Sequence, residues 1–155
     1  GIILYTYYDT PSSGVKPYAQ NNNVIEGNTV WVGKYAWQGG STSPSSYAAI
    51  QFNDTTSVGM TGNIIRNNTL VSYNGPVLQF NQSKIAASTT VQNNLMWRVG
   101  GSSAALSVNG ASYSADRLNN FNSLFSGNTF KDPNFESVSV DFYKTPEKFD
   151  FVRIV

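Results

Sequence analysis

The chain has 155 residues and contains neither His nor Cys, so its chemistry must come from carboxylates, basic side chains, hydroxyls, amides and aromatic rings. That composition excludes His/Cys zinc sites, cysteine- or histidine-based triads, c-type haem and a disulfide framework. Acid-base cleavage of a glycoside would need two carboxylates about 5–10 Å apart, and a calcium site would need clustered acids. Up to residue 130 the only acids are Asp9, Glu26, Asp54 and Asp116. Two other constellations stand out. Glu26 and Arg66 each lie two residues before the last Asn of a similar block, ending at Asn28 and Asn68. They can be a surface ion pair, a ligand contact or a catalytic dyad, and the last would require an Arg with a strongly lowered pKa. Trp31 and Trp97 each lie three residues after such an Asn, Asn28 and Asn94. Flat rings in one row can take the apolar faces of sugars while Gln92 and neighbouring amides supply hydrogen bonds. The same rings can equally pack beneath a loop or against a partner chain.

These spacings gain meaning from a repeat. Ala49-Ile50-Gln51-Phe52-Asn53 returns as Val77-Leu78-Gln79-Phe80-Asn81 and as Ala105-Leu106-Ser107-Val108-Asn109, 28 residues apart each time. Gly1-Ile2-Ile3-Leu4-Tyr5 has the same shape. A second block follows each first one. It reads Val24 to Trp31, then Ile64 to Val71, then Thr90 to Trp97 and, more loosely, Leu118 to Phe125. Each unit therefore holds two short alternating segments bounded by Asn and Gly, with no helical period. A short strand repeated at this interval suits a solenoid, in which each turn adds one rung to parallel sheets.

In that reading Asn28, Asn68, Asn94 and Asn122 form one ladder, and Asn53, Asn81 and Asn109 a second. Asn tolerates left-handed backbone at a corner, and stacked amides can hydrogen-bond along the stack. The apolar rows Leu4, Phe52, Phe80, Val108 and Val30, Leu70, Met96, Leu124 are expected inside. Trp31, Val71, Trp97 and Phe125 are expected outside. The predicted fold is all-β: a right-handed parallel β-helix of about four coils of ~28 residues plus a C-terminal cap. The coils are 1–48, 49–76, 77–104 and 105–130, with insertions at 6–23 and 33–48, and the cap or extended tail is 131–155. Blocks such as Ile65-Arg66-Asn67-Asn68-Thr69-Leu70 resemble the right-handed parallel β-helices of the pectate-lyase-like superfamily, over roughly residues 1–142. The exit from the last coil, Phe130-Lys131-Asp132-Pro133-Asn134-Phe135 followed by Asp141-Phe142, is similar too. The resemblance implies a fold more than an activity, because that superfamily includes lyases, hydrolases, epimerases, tailspikes and adhesins.

The irregular parts carry the functional reading. Both insertions are rich in aromatics, and Tyr35 and Trp37 would wall a binding face built from Glu26, Trp31, Arg66, Gln92 and Trp97. Nine of the nineteen charged residues fall within 131–155, which marks a different closing segment. The chain starts at the beginning of a repeat unit, as a fragment or one piece of a larger assembly would. A formal net charge of +1 offers no field for nucleic acid. No apolar run approaches the ~20 residues of a membrane span, so no membrane insertion is expected. The expected protein is extracellular, cell-surface or virion-surface and engages a polysaccharide. Other partners are the remainder of a longer β-helix or further copies of itself, and no cofactor or metal site is built from this chain alone. One reading is part of a polysaccharide-processing enzyme, a lyase or glycoside hydrolase, whose catalytic residues are not all in this segment. The other is a non-catalytic glycan-binding or structural module of a tailspike, adhesin or filament.

Overall fold

Alternation is plainest in Ile50–Asp54, where Ile50, Phe52 and Asp54 are buried while Gln51 and Asn53 are only half-buried. A strand places successive side chains on opposite faces, so this pattern sets one face against a core. The computed structural model of the chain describes residues 1–6, 19–33, 46–56 and 58–134. The insertion residues 7–18 and 34–45, with Tyr35 and Trp37, and the tail 135–155 lie outside the described residues.

Three sheets organise the described residues. In chain order the strands are β1 (Ile2–Thr6), β2 (Val24–Glu26), β3 (Thr29–Val32), β4 (Ile50–Asp54), β5 (Ile64–Arg66), β6 (Thr69–Ser72), β7 (Leu78–Phe80), β8 (Thr90–Gln92), β9 (Leu95–Arg98), β10 (Leu106–Val108), β11 (Ala111–Tyr113), β12 (Phe125–Ser126) and β13 (Thr129–Phe130). The first sheet runs β1-β4-β7-β10-β11, the second β12-β8-β5-β2 and the third β13-β9-β6-β3. Every pairing is parallel except β10 with β11. Stacked parallel strands in three sheets make an all-β arrangement compatible with a parallel β-helix. One helix, α1 (Ser83–Ser88), joins β7 to β8 and buries Ile85 and Ala86. Its six residues are too few to leave a helical period in the sequence.

The registers expected from the repeat hold for the first three passes. Leu4, Phe52, Phe80 and Val108 occupy one row, and all but the half-buried Leu4 are fully inside. Val30, Leu70 and Met96 form a second buried row. The Phe52 and Phe80 rings stack 5.2 Å apart, and the aromatic contacts continue through Phe125 and Phe121 to Tyr113.

The fourth pass differs by six residues. Phe125 pairs with Val91 and Phe130 with Met96, so the corner residue is Asn128 and not Asn122. Phe125 is accordingly buried rather than outward, and Leu124 leaves the inner row. The physical reason is the corner itself, which requires a residue at positive φ followed by Asn. Gly27-Asn28, Asn67-Asn68, Asn93-Asn94 and Gly127-Asn128 all satisfy it, with φ of 69°, 55°, 55° and 66° at the first residue. Asn122 instead accepts a hydrogen bond from the Leu124 N–H and donates to the Ala86 carbonyl.

The ladder is directional. The backbone N–H and Nδ2 of Asn28 donate to Oδ1 of Asn68, those of Asn68 to Asn94, and those of Asn94 to Asn128, all at 2.9–3.1 Å. Each following Asn also donates Nδ2 to a carbonyl of the preceding rung, namely Ile25, Ile65 and Val91. Asn119 ends the series by accepting from the Asn128 N–H and donating to its carbonyl. Asn22-Asn23 and Gly62-Asn63 repeat the same corner before β2 and β5.

Candidate functional site

Pairing of β2, β5 and β8 puts Glu26, Arg66 and Gln92 in one row, and side-chain alternation points that row outward. The Arg66 guanidinium donates from Nη2 to Glu26 Oε2 at 2.9 Å, and Asn67 Nδ2 donates to Oε1 at 3.1 Å. The two charged side chains are 45% and 41% exposed, so the pair is wet. These hydrogen bonds, from Arg66 first and Asn67 second, hold the Glu26 carboxyl below its ordinary range. The carboxylate is therefore ionised and engaged at neutral pH.

Around the Gly/Asn-Asn corner, β3, β6 and β9 align Trp31, Val71 and Trp97. Both Trp side chains are half-buried, and Val71 between them is fully buried rather than outside as its place in the row predicts. The reason is that in β6 alternation does not set burial: Leu70, Val71 and Ser72 are all buried. The Trp97 ring lies 5.2 Å from the Phe130 ring. The sequence places these residues in two rows, and both rows are present. They belong to two sheets that meet at the corner, so Glu26, Arg66 and Gln92 share one sheet and Trp31 and Trp97 the next. The expected walls, Tyr35 and Trp37, fall outside the described residues.

Sequence reasoning passed over the most elaborate polar cluster. Asp54 is 1% exposed and stands opposite Thr6. Its Oδ1 accepts from Thr6 Oγ1 at 2.7 Å, the Thr56 N–H at 3.1 Å and Thr56 Oγ1 at 3.2 Å. Its Oδ2 accepts from the Gly59 N–H at 3.1 Å and lies 3.8 Å from Lys84 Nζ. Burial by itself raises the pKa of this carboxyl. The donors from Thr6, Thr56 and Gly59 outweigh burial and bring it below the ordinary 3.8. Asp54 thus anchors the segment that leaves β4. The signal was present as Asp-Thr-Thr closing a strand whose partner closes in Thr6.

A second missed group is Arg98, which is 9% exposed and donates to four backbone carbonyls. Nε reaches Gly75, Nη1 reaches Gly100 and Gly101, and Nη2 reaches Asn74, at 2.5–3.1 Å. Five fixed donors make Arg the one side chain able to staple two turns in this way.

The described carboxylates are Glu26, Asp54, Asp116 and Asp132, and no two of them are register partners. No three His, Cys, Asp or Glu side chains gather as a metal site among the described residues. No helix there is long and apolar enough to cross a membrane. In comparisons with known proteins the chain matches no family model, no curated protein and no solved structure.

Proposed function

We propose that this chain is a glycan-engaging portion of a right-handed parallel β-helix of the pectate-lyase-like kind, about four coils long, acting outside the cell or on a virion. One observation carries the reading: two half-buried Trp side chains share one register row two rungs apart, on either side of the buried Val71. At ~4.8 Å per rung their separation is about 10 Å, a spacing on which sugar rings can lie. Across the corner, the Glu26–Arg66 pair and Gln92 supply charge-assisted and amide hydrogen bonds. The glycan lies along this edge.

In the wider reading the segment belongs to a polysaccharide-processing protein whose catalytic residues are not all in this chain. The alternative is a non-catalytic module of a tailspike, adhesin or filament. The engagement of both principal carboxylates favours holding a glycan over cleaving it within the described residues. Glu26 is committed to Arg66 and Asn67, and Asp54 to Thr6, Thr56 and Gly59.

Calorimetric titration with a panel of neutral and acidic oligosaccharides tests the proposal. Trp97→Ala is expected to weaken binding by about 1–3 kcal/mol, the scale of losing a large aromatic contact. Its melting temperature should change little. No binding across the panel, or a large stability loss with affinity intact, would overturn the glycan edge in favour of simple packing of Trp97 on Phe130.

A further inference from the structure

Two Asn-Gly dipeptides occur among the described residues, Asn74-Gly75 and Asn109-Gly110, and the fold treats them oppositely. Asn109 and Gly110 are the two central residues of the β10–β11 hairpin, whose flanking pair is Val108 with Ala111. Their φ angles of 50° and 78° give the doubly left-handed turn that Asn-Gly favours. Both residues are exposed, and a Cβ built on Gly110 would meet nothing within 4 Å. The Asn109 backbone N–H is tied to the Phe80 carbonyl at 2.8 Å. Its side-chain amide makes no hydrogen bond among the described residues, unlike that of Asn81 in the same row, which donates to Asn53 Oδ1 and the Asp54 carbonyl.

Asn74-Gly75 is clamped. Arg98 donates to the carbonyls of both residues, Ser72 Oγ donates to that of Gly75, and a Cβ built on Gly75 would collide with the carbonyls of Ser46 and Tyr47. Asn74 is exposed like Asn109, but Gly75 is buried, and rotating this dipeptide would break three hydrogen bonds.

We propose that Asn109 is a site of spontaneous deamidation, and that the fold protects Asn74 from the same reaction. The Gly110 backbone nitrogen attacks Cγ of Asn109. The N–Cγ bond forms, the Cγ–Nδ2 bond breaks, and the amide proton leaves with Nδ2 as ammonia. Solvent water then opens the five-membered imide at either carbonyl, giving aspartate or isoaspartate, and no electrons are transferred. The absence of a side chain on Gly110 leaves the attacking nitrogen unhindered, and the exposed turn supplies the necessary freedom. Isoaspartate lengthens the backbone by one methylene, which a two-residue turn cannot absorb. The modification therefore detaches β11, the antiparallel strand that covers the edge of the first sheet beyond β10.

Peptide mapping by mass spectrometry tests this after the folded chain is incubated at mildly alkaline pH, with a denatured sample alongside. In the folded chain, isoaspartate at residue 109 should accumulate about tenfold or more faster than at residue 74, a barrier difference of about 1.4 kcal/mol. In denaturant the two rates should converge. Equal rates in the folded chain would overturn the proposal, as would an unreactive Asn109 beside a denatured sample that reacts at both positions.

Discussion

Asp54 shows how much one buried charge can organise. Moving a lone carboxylate out of water is unfavourable, yet this one remains ionised because four hydrogen bonds from Thr6, Thr56 and Gly59 converge on it. Its pKa is depressed in the folded chain. A depressed carboxyl contributes stability that is fully present above its unfolded value and is lost as pH falls through the folded one. The window therefore opens near 3.8 and extends downward. Asp54→Ala leaves those donors unsatisfied in a buried place and is expected to cost about 2–4 kcal/mol at pH 7. Urea denaturation at pH 7 and at progressively lower pH checks both statements. The wild type should lose stability on acidification below about pH 4 more steeply than the variant. Parallel acid limbs would mean that Asp54 is not the linked group. Glu26 is depressed in the same direction by Arg66 and Asn67, but it is exposed, so water screens the interaction and its substitution should scarcely alter stability.

At the scale of elements, the corner decides what can be read from the sequence. Wherever the corner is written Asn-Asn, as at Asn67-Asn68 and Asn93-Asn94, the amide both takes the left-handed backbone and advertises it, so strand register follows directly. Gly127-Asn128 performs the same task, but Asn119, Asn120 and Asn122 lie nearby and offer a competing alignment six residues away. The competing alignment ignored the short 3-10 turn at Ala115–Leu118, which uses up the chain before β12. The β10–β11 hairpin was also legible, since Asn109-Gly110 is a strong hairpin signal, but an expectation of continued parallel rungs hid it. The two candidate rows were readable because register alone fixes them. Their division between two sheets was not, because spacing does not reveal where a corner bends. Gly127 carries a test of this account. Its φ is 66°, and a Cβ there would collide with the Asn93 side chain on the neighbouring rung. Gly127→Ala is expected to cost about 1–3 kcal/mol, from strained backbone and a displaced amide together. Thermal denaturation measures it, and a neutral effect would show that the corner tolerates ordinary backbone.

Across the whole molecule, the stack behaves as a nearly one-dimensional object in which each rung touches only its neighbours. The cost of a core truncation should then depend on how many neighbours the residue has, and not on its size alone. Phe80 lies between Phe52 and Val108 in its row, with the Phe52 ring at 5.2 Å and the Phe125 ring of the second sheet at 6.3 Å, and it is fully buried. Leu4, in the same row, pairs on one side with Phe52 and is half-buried, being carried by the edge strand of the described sheet. Phe80→Ala therefore removes a ring from the middle of a stack and leaves a cavity walled by two others, which should cost about 3–5 kcal/mol. Leu4→Ala loses a partly solvated contact that the edge can relax around, at about 1 kcal/mol or somewhat more. Urea unfolding followed by both tryptophan fluorescence and far-ultraviolet dichroism separates the cases. If the rungs form one cooperative unit, the two signals coincide for each variant and only the midpoint moves, much further for Phe80→Ala. If the passes unfold independently, Phe80→Ala should split the transition, because removing the shared ring uncouples the rungs bearing Phe52 and Phe125. Equal midpoint shifts for Phe80→Ala and Leu4→Ala would refute the neighbour-counting argument itself, and with it the view that the aromatic row is what couples one rung to the next.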